Sequence, residues 1–209
     1  MSTGVRPDIY FIRHGQTNWN AEYRYQGRRD IPLNDVGRAQ ARANGLLLVE
    51  LLERDGLDPR DLKWIASPMA RARETMQLVR APFQGGLPDV VYDERLMEIS
   101  FGVYEGKLQS EVAGSGMRDA GDRDESHWHY RPDEGESYAD LAGRALPVIE
   151  SLTVPSVVVS HGGVARTFRQ LVEGAPLLEL VNWPPPQDAI LHFKGADLNI
   201  IPSGYANFD

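Results

Sequence analysis

A short apolar run near the start of the chain ends in an Arg-His pair. Residues 9–12 read IYFI, and Arg13, His14 and Gly15 follow at once. Short runs of β-branched and aromatic residues are typical of buried strands, so this segment predicts a strand that ends at a reactive turn. An imidazole there can act as a nucleophile or exchange a proton, and a guanidinium offers a forked positive charge. An isolated Arg-His pair, however, is more often a polar turn that caps backbone groups.

Two further strand-like segments end in residues of the same chemistry. Residues 156–160 read SVVVS and run into His161, and residues 62–66 are followed by Ser67, a proline and a helix-like segment that carries Arg71. Ser67 is predicted to be the N-cap of that helix. Because the carboxyl ends of parallel strands meet at one edge of a sheet, these groups can converge with the first pair. Two arginines and two histidines together form a pocket of donors that suits phosphate.

The elements that must position these residues alternate between strands and helices. One helix is predicted from a cap at Asn34 to about Arg54. Another is predicted from a cap at Ser137, and Pro147 should kink or interrupt it. The remaining predicted elements are strands at 89–92, 189–193 and 198–201 and a helix at 164–172. This alternation predicts an α/β fold with a mostly parallel sheet.

The chain shows no internal repeat and no linker, so residues 1–209 are predicted to form a single domain. Residues 114–136 are rich in glycine and charge, with arginines and histidines around Trp128 and Tyr130. We expect this stretch to leave the core, as a lid or insertion spanning about 107–136 or as a solvated loop.

Composition excludes several classes of function. The formal net charge of −8 argues against nonspecific binding to nucleic acid or to acidic membranes, so any anion needs a local basic pocket. The chain has no cysteine, and its five histidines include no pair spaced as zinc ligands, so neither a metal nor another cofactor is predicted. There is no apolar run of membrane-spanning length and no signal-peptide pattern, which makes the cytoplasm the expected location.

Five segments resemble, in order, the signatures of the histidine phosphatase superfamily, the phosphoglycerate mutase-like proteins. They read RHGQTNWN, PLNDVGRAQA, SPMARARET, LMEISFGVYEG and VVVSHGG, and they lie between about residues 9 and 166. The resemblance implies a three-layer α/β fold in which helices cover both faces of the sheet. It also implies a phosphatase or a mutase that works on a small phosphorylated substrate without a metal.

The resemblance further implies a role for each candidate residue. His14 would attack phosphorus and form a phosphohistidine, and Glu98 would protonate the leaving alkoxide and then activate water. Arg13, Arg71 and His161 would hold the phosphoryl oxygens.

Several assignments have competitors. Asn20 is expected to donate a further hydrogen bond to the phosphate, Gln26 could contact substrate from its loop, and Thr17 could bind phosphate or cap a short helix. Glu105 is the alternative acid. A second anionic group, such as another phosphate or a carboxylate, could be recognised by three loop arginines together with the possible lid at 114–136, or these residues could lie in solvent; the arginines are Arg24, Arg28 and Arg29.

Phosphatase activity is favoured over mutase activity. In the mutases that the motif resembles, an arginine that binds a carboxylate typically follows the catalytic glutamate, whereas Ile99 stands there in this chain. A cofactor-dependent phosphoglycerate mutase and a non-catalytic phosphate-binding or scaffolding module are the alternatives. The sequence leaves the oligomeric state open.

Overall fold

Strands and helices alternate through most of the chain in a computed structural model, which describes residues 6–112 and 123–205. The strands are β1 (Ile9–Arg13), β2 (Lys63–Ala66), β3 (Val91–Tyr92), β4 (Ser156–Ser160), β5 (Ala189–Lys194) and β6 (Asp197–Pro202). The helices are α1 (Asn18–Ala21), α2 (Asp35–Asp55), α3 (Ala70–Arg80), α4 (Tyr138–Glu150), α5 (Gly162–Phe168) and α6 (Leu177–Asn182).

All six strands belong to one sheet with the order β3-β2-β4-β1-β5-β6. The pairs β3–β2, β2–β4 and β4–β1 are parallel, whereas β5 pairs antiparallel with β1 and with β6. The carboxyl ends of β2, β4 and β1 therefore lie side by side at one edge of the sheet. The predicted α/β class with a mostly parallel central sheet is confirmed.

Alternate side chains of β1 point into two separate cores. Ile9 and Phe11 pack with residues of α4 and α5 on one face of the sheet. Tyr10 and Ile12 pack with residues of α2 and α3 on the other face. This alternation is the ordinary geometry of a strand, and it confirms helices on both faces.

Helix α2 follows its sequence signals closely. The Asn34 side chain accepts a hydrogen bond from the Gly37 N–H at 2.9 Å, which caps the start of the helix. Gly56 ends it in the left-handed conformation, with φ of 67°. The expected boundaries at Asn34 and Arg54 agree with Asp35–Asp55 to within a residue.

The predicted capping role of Ser67 is wrong. Helix α3 begins at Ala70, and its N-cap position is Met69, which makes no side-chain cap. The Ser67 hydroxyl instead lies 2.7 Å from Nε2 of the His161 ring, while its contact with the Met69 N–H is a long 3.4 Å. A contact with a residue distant in the sequence, and not the local Ser-Pro pattern, therefore determines what the Ser67 hydroxyl binds.

Pro147 does not interrupt its helix, so this part of the expectation is wrong, and the alternative of a kink stays a prediction. Helix α4 runs from Tyr138 to Glu150 with Pro147 inside it. Proline removes the N–H that would bond to the carbonyl of Gly143, one turn earlier. Both residues lie on the exposed face of the helix, so water can bond to that carbonyl.

The predicted helix at 164–172 is divided into two kinds of turn. Helix α5 ends at Phe168, and a π-helical turn covers Arg169–Glu173 before Gly174 stops it with φ of 73°. A π turn accommodates one extra residue and shifts the side chains that follow it.

The expected lid lies only partly within the described residues. Residues 113–122, with Arg118, are outside them. The described part is not a wholly solvated loop, because Trp128 is 4% exposed and stacks on Tyr138 with ring centroids 5.4 Å apart. Whether residues 107–136 close over the site stays a prediction.

Candidate active site

The parallel pairing of β1 with β4 brings the two predicted histidines together. The His14 N–H donates to the Ser160 carbonyl at 2.8 Å, which extends the strand ladder to the last residue before His161. The two imidazole rings meet edge to face, with centroids 5.1 Å apart. Both histidines are almost fully buried. A pair of sequence motifs 147 positions apart thus forms one site.

Hydrogen bonds determine which nitrogen of His14 carries the proton. Nδ1 lies 2.8 Å from the carbonyl oxygen of Gly15, which can only accept, so Nδ1 is the protonated nitrogen. Nε2 lies 3.1 Å from Nε of Arg71, which can only donate. The lone pair of His14 is therefore on Nε2, and this nitrogen is the available nucleophile.

Gly15 is required at this turn by a close contact between backbones. A Cβ atom at Gly15 would lie 2.1 Å from the carbonyl oxygen of Gly37, at the start of α2. No side chain fits at that distance. The glycine therefore serves the packing of the reactive turn against the helix.

Arg71 projects from the first turn of α3 and is fully buried. Its Nη1 and Nη2 atoms donate to the carbonyl oxygens of Arg29, at 2.7 Å, and Gly27, at 2.9 Å. The loop that precedes α2 thus fixes the guanidinium against His14 without neutralising its charge.

Arg13, like Arg71, is held by a backbone carbonyl, in this case from the segment before β5. Its Nη1 atom donates to the carbonyl of Pro185 at 2.6 Å. Its Nε atom is buried and has no hydrogen-bond partner among the described residues. A buried donor without a partner carries a desolvation cost that an anion in the site can offset.

His161 contacts His14 on one side and Ser67 on the other. The Ser67 hydroxyl lies 2.7 Å from Nε2 of the ring. A hydroxyl can donate or accept, and when Ser67 donates to Nε2 the imidazole proton is on Nδ1. Nδ1 is buried and lacks a partner among the described residues. His161 can therefore offer this N–H to a phosphoryl oxygen as a neutral ring.

Glu98 is placed at the start of α5 by backbone N–H groups. Oε1 accepts from the N–H of Gly163 at 2.9 Å and from that of Ile99 at 3.0 Å. Oε2 accepts only a longer hydrogen bond from the Gly163 N–H, at 3.2 Å, so it is the less engaged of the two carboxylate oxygens. A Cβ at Gly163 would lie 2.4 Å from Oε1, so only glycine permits this approach.

The electrostatics of the site keep both histidines neutral. Burial, followed by the positive charges of Arg71 and Arg13, lowers the pKa of His14 well below 6.5. The pKa of His161 is lowered in the same way, mainly by burial and then by Arg71. Burial also lowers the pKa of Arg13 to about 10, although the nearby charge of Glu98 raises it. Arg13 therefore stays charged at neutral pH.

The three secondary candidates are placed differently. Asn20 lines the cavity, and its Oδ1 accepts from the Thr17 N–H at 3.1 Å. Thr17 is the N-cap of α1 in a reciprocal capping box with Asn20, and it is not among the residues that line the cavity. Gln26 lines the cavity, and its Oε1 is buried without a partner among the described residues.

The carboxylate of Glu105 connects neighbouring loops through hydrogen bonds. Its Oε1 accepts from the backbone N–H groups of Arg28, at 3.0 Å, and Phe101, at 3.2 Å, and from the Ser100 hydroxyl. Arg28 itself forms an ion pair with Glu136 at 2.9 Å. This arrangement favours Glu98 over Glu105 as the acid.

A cavity of about 610 Å³ opens above these groups. Its wall includes Arg13, His14, Arg71 and Glu98, together with residues that the sequence motifs did not indicate. The additional residues are Tyr23, Gln109, Arg123, Tyr138, Arg166, Pro184, Pro185 and Gln187. Arg123 belongs to the cluster of arginines and histidines that the sequence shows in the expected lid, and Arg166 lies one turn after the SHGG motif; these are the sequence signals that could have identified them.

Gln187 links two parts of the site. Its Nε2 donates to the His14 carbonyl at 3.0 Å and to Oδ1 of Asn20 at 3.1 Å. The segment before β5 therefore orients the reactive turn and the start of α1 together.

Potential metal ligands lie elsewhere. Among residues 6–112 and 123–205, the one cluster of three such groups is Asp8, Asp55 and His192. It lies at the amino end of β1, opposite His14. His192 already contacts Asp8 at 3.0 Å, and Tyr10 donates to Asp55 at 2.6 Å.

Comparison with known proteins places the chain among phosphoryl-transfer enzymes. The model of the histidine phosphatase superfamily (branch 1) matches residues 9–197. A glucosyl-3-phosphoglycerate phosphatase of Mycolicibacterium vanbaalenii is 34% identical over 190 residues, which cover 84% of this chain and 77% of that protein. A 2,3-bisphosphoglycerate-dependent phosphoglycerate mutase 2 of Gloeobacter violaceus is 31% identical and covers 86% of this chain and 78% of its own length.

A solved structure shares the whole architecture. Bacillus stearothermophilus YhfR superposes with a TM-score of 0.71 at 31% identity, and the match covers 95% of this chain and 96% of that one. In the described part of the present chain, no helix has the length and apolar character needed to cross a membrane.

Proposed function

This chain is a phosphatase of the histidine phosphatase superfamily, branch 1, and we propose that it hydrolyses a small phosphomonoester through a phosphohistidine on His14, with Glu98 as the proton donor. One observation carries the proposal. The unprotonated Nε2 of His14 contacts a buried, charged Arg71, and Glu98 lines the same cavity. Nucleophile, positive charge and acid are thus within reach of one bound phosphate.

In the first step, Nε2 of His14 attacks phosphorus and the bond to the alkoxide oxygen breaks. Arg13, Arg71 and the Nδ1 proton of His161 stabilise the negative charge on the phosphoryl oxygens. Glu98 gives its proton to the departing alkoxide, so the alcohol leaves neutral. Nδ1 of His14 keeps its proton, and Gly15 stabilises the positive charge that the ring acquires.

In the second step, Glu98 is a carboxylate and acts as a base. It accepts a proton from water, the water oxygen attacks phosphorus, and the bond to Nε2 of His14 breaks. Inorganic phosphate leaves, and both residues return to their starting states. No metal is used in either step, because the arginines supply the positive charge.

The residue after Glu98 favours hydrolysis over mutase chemistry. A mutase must hold the carboxylate of its substrate while the phosphoryl group moves between two oxygens. Ile99 occupies the position of the expected carboxylate ligand, and it is 2% exposed within the core. Phosphoglycerate mutase activity is therefore the second candidate function, supported by the similarity to the Gloeobacter protein.

Mutation of the nucleophile tests the main proposal. His14→Ala should abolish hydrolysis of p-nitrophenyl phosphate and the acid-labile labelling expected of a phosphohistidine, and EDTA should leave the wild-type rate unchanged. Undiminished turnover by the variant would refute the mechanism. A non-catalytic scaffolding module would show no turnover in the wild type either. Formation of 2-phosphoglycerate from 3-phosphoglycerate and catalytic 2,3-bisphosphoglycerate would favour the mutase.

The role of Glu98 predicts a dependence on the leaving group. Glu98→Gln keeps the shape of the side chain but has no proton to transfer, so alkyl phosphates should slow by about 100-fold or more. The first step with p-nitrophenyl phosphate should slow much less, because nitrophenolate leaves without protonation. Single-turnover release of nitrophenolate measures that step separately. Equal losses on both substrates would assign the acid role elsewhere.

The single-domain organisation, the expected location in the cytoplasm and the absence of nucleic-acid partners stay predictions. Limited proteolysis would test the first, cell fractionation the second and an electrophoretic mobility-shift assay the third.

A further inference from the structure

The acid Glu98 lies in a segment that has no regular secondary structure. Residues 97–101 connect two short 3-10 turns, Glu94–Leu96 and Gly102–Tyr104, and belong to no helix or strand. The N–H groups of Gly163 and Ile99 hold the carboxylate of Glu98, but they do not hold the backbone from which this side chain extends. The position of the acid therefore depends on contacts between this backbone and other elements.

Arg144 of helix α4 supplies two of these contacts. Its Nη2 atom donates to the backbone carbonyl of Glu98 at 3.0 Å, and its Nη1 atom donates to that of Arg95 at 2.7 Å. Arginine suits this task because its donors point in fixed directions within one plane. One guanidinium thus fixes the acid and the turn that precedes it.

Glu136 orients the guanidinium of Arg144. Nε and Nη2 of Arg144 donate to Oε1 and Oε2 of Glu136, at 3.1 and 3.0 Å, which is a bidentate ion pair. The two side chains are only 18% and 20% exposed. Burial raises the pKa of Glu136, but the hydrogen bonds and the charge of Arg144 outweigh it and lower this pKa below its ordinary value, so the carboxylate is ionised.

The same carboxylate holds the other side of the acid segment. Oε2 of Glu136 accepts from the backbone N–H of Ser100 at 3.1 Å, and the Glu136 N–H donates to the Ser100 carbonyl at 2.9 Å. The Glu136–Arg144 pair therefore bonds to the backbone before Glu98, at Glu98 and after it.

We propose that Arg144, oriented by Glu136, is a positioning residue that holds the carboxyl group of Glu98 within reach of the leaving oxygen. This inference rests on the proposed function, because Arg144 acts through the acid. Neither Arg144 nor Glu136 is among the residues that line the cavity, so the effect passes through Glu98 and not through the substrate. A displacement of an acid by about 1 Å can slow a reaction by roughly 100-fold.

Dependence on the leaving group distinguishes positioning of the acid from a general loss of structure. Arg144→Gln should lower kcat/KM for phenyl phosphate and glycerol 3-phosphate by about 10- to 100-fold, because these leaving groups need a proton. Single-turnover release of nitrophenolate from p-nitrophenyl phosphate should change little, because nitrophenolate leaves without protonation.

Arg169→Gln is the matched control. Arg169 also forms a bidentate ion pair, with Glu173 at 2.7 and 2.9 Å, and its side chain is 7% exposed. It does not line the cavity, and its printed partners lie outside the acid segment. The control variant should lower the melting temperature to a similar extent, without any dependence of the rate on the leaving group.

Arg144→Lys provides the test if Arg144→Gln does not fold. Lysine keeps a positive charge beside Glu136, but its single nitrogen cannot reproduce a planar set of donors to two carbonyls and a carboxylate. This variant should show a smaller loss with the same dependence on the leaving group.

A double variant tests whether Arg144 acts through the acid. In a Glu98→Gln background, Arg144→Gln should cause little further loss on phenyl phosphate, because two changes that affect one group are not additive. A full additional loss would mean that Arg144 acts independently of Glu98.

The remaining outcomes separate this inference from the proposed function. Equal losses on good and poor leaving groups in the Arg144 variants, or the same leaving-group dependence in Arg169→Gln, overturn the positioning role and leave the phosphatase mechanism intact. A Glu98→Gln variant without leaving-group dependence refutes the proposed role of the acid itself.

Discussion

Replacement of Ser67 by alanine tests how the site prepares His161. The variant removes a fully buried hydroxyl that lies 2.7 Å from Nε2 of the imidazole. The role proposed for His161 requires this hydroxyl to donate to Nε2, so that the ring proton is on Nδ1 and faces the phosphate. Loss of a partner for a buried polar group costs about 1–3 kcal/mol. If that cost falls on the transition state, kcat/KM decreases by roughly 5- to 150-fold.

Ser156→Ala is the matched control for this variant. Ser156 is also fully buried and lies at the opposite end of β4, where its hydroxyl donates to the Val154 carbonyl at 2.7 Å. Both variants should lower the melting temperature to a similar extent, but only Ser67→Ala should lose activity on p-nitrophenyl phosphate. An activity for Ser67→Ala within twofold of wild type, or an equal loss in Ser156→Ala, would show that the hydroxyl does not prepare His161.

Two further predictions follow from the pKa of His14 and from helix α4. Folding lowers the pKa values of His14 and His161 below 6.5, so the unfolded chain binds more protons as the pH falls. The unfolding free energy should therefore decrease by about 1 kcal/mol for each histidine between pH 7 and pH 5.5, because the unfolded imidazole becomes protonated over this interval. Urea unfolding between neutral pH and about pH 5.5 measures this slope, which should be smaller in His14→Gln; an unchanged slope would contradict the burial argument. Pro147→Ala restores an N–H for the Gly143 carbonyl in α4 and should raise the melting temperature, since proline inside a helix costs up to about 3 kcal/mol. Exposed Leu146→Ala in the same turn is the control, and a lower melting temperature for Pro147→Ala would mean that the rigid ring stabilises the chain by restricting its unfolded state.

The parts of the fold that depend on local pattern were predictable. Strand β4 coincides with the SVVVS run, and helix α2 begins at its asparagine cap, because burial pattern and capping act within a few residues. The convergence of His14, Arg71 and His161 followed from one topological rule about parallel strand ends. These features needed no knowledge of which distant residues touch.

The errors arise where a distant partner outweighs a local signal. Ser67 has the sequence context of an N-cap, but its hydroxyl bonds to His161, 94 residues away. Pro147 is tolerated because the Gly143 carbonyl, which finds no N–H at residue 147, faces water. Which face of α4 is exposed depends on how the helix packs against the rest of the fold. Arg166 is fixed in the cavity wall by the Leu180 carbonyl of α6, a contact that no motif in the sequence indicates.

The way the fold holds its arginines explains how an acidic protein can bind an anion. Among the described residues, Arg13, Arg71 and Arg166 are fixed by backbone carbonyls and not by carboxylates: those of Pro185, of Arg29 and Gly27, and of Leu180. A carboxylate partner would fix a guanidinium equally well but would cancel its charge. A carbonyl satisfies the hydrogen bond and leaves the positive charge for the substrate. The loops before α2 and β5 therefore do more than cover the site, since their carbonyl groups keep the charge available at the position where His14 attacks phosphorus.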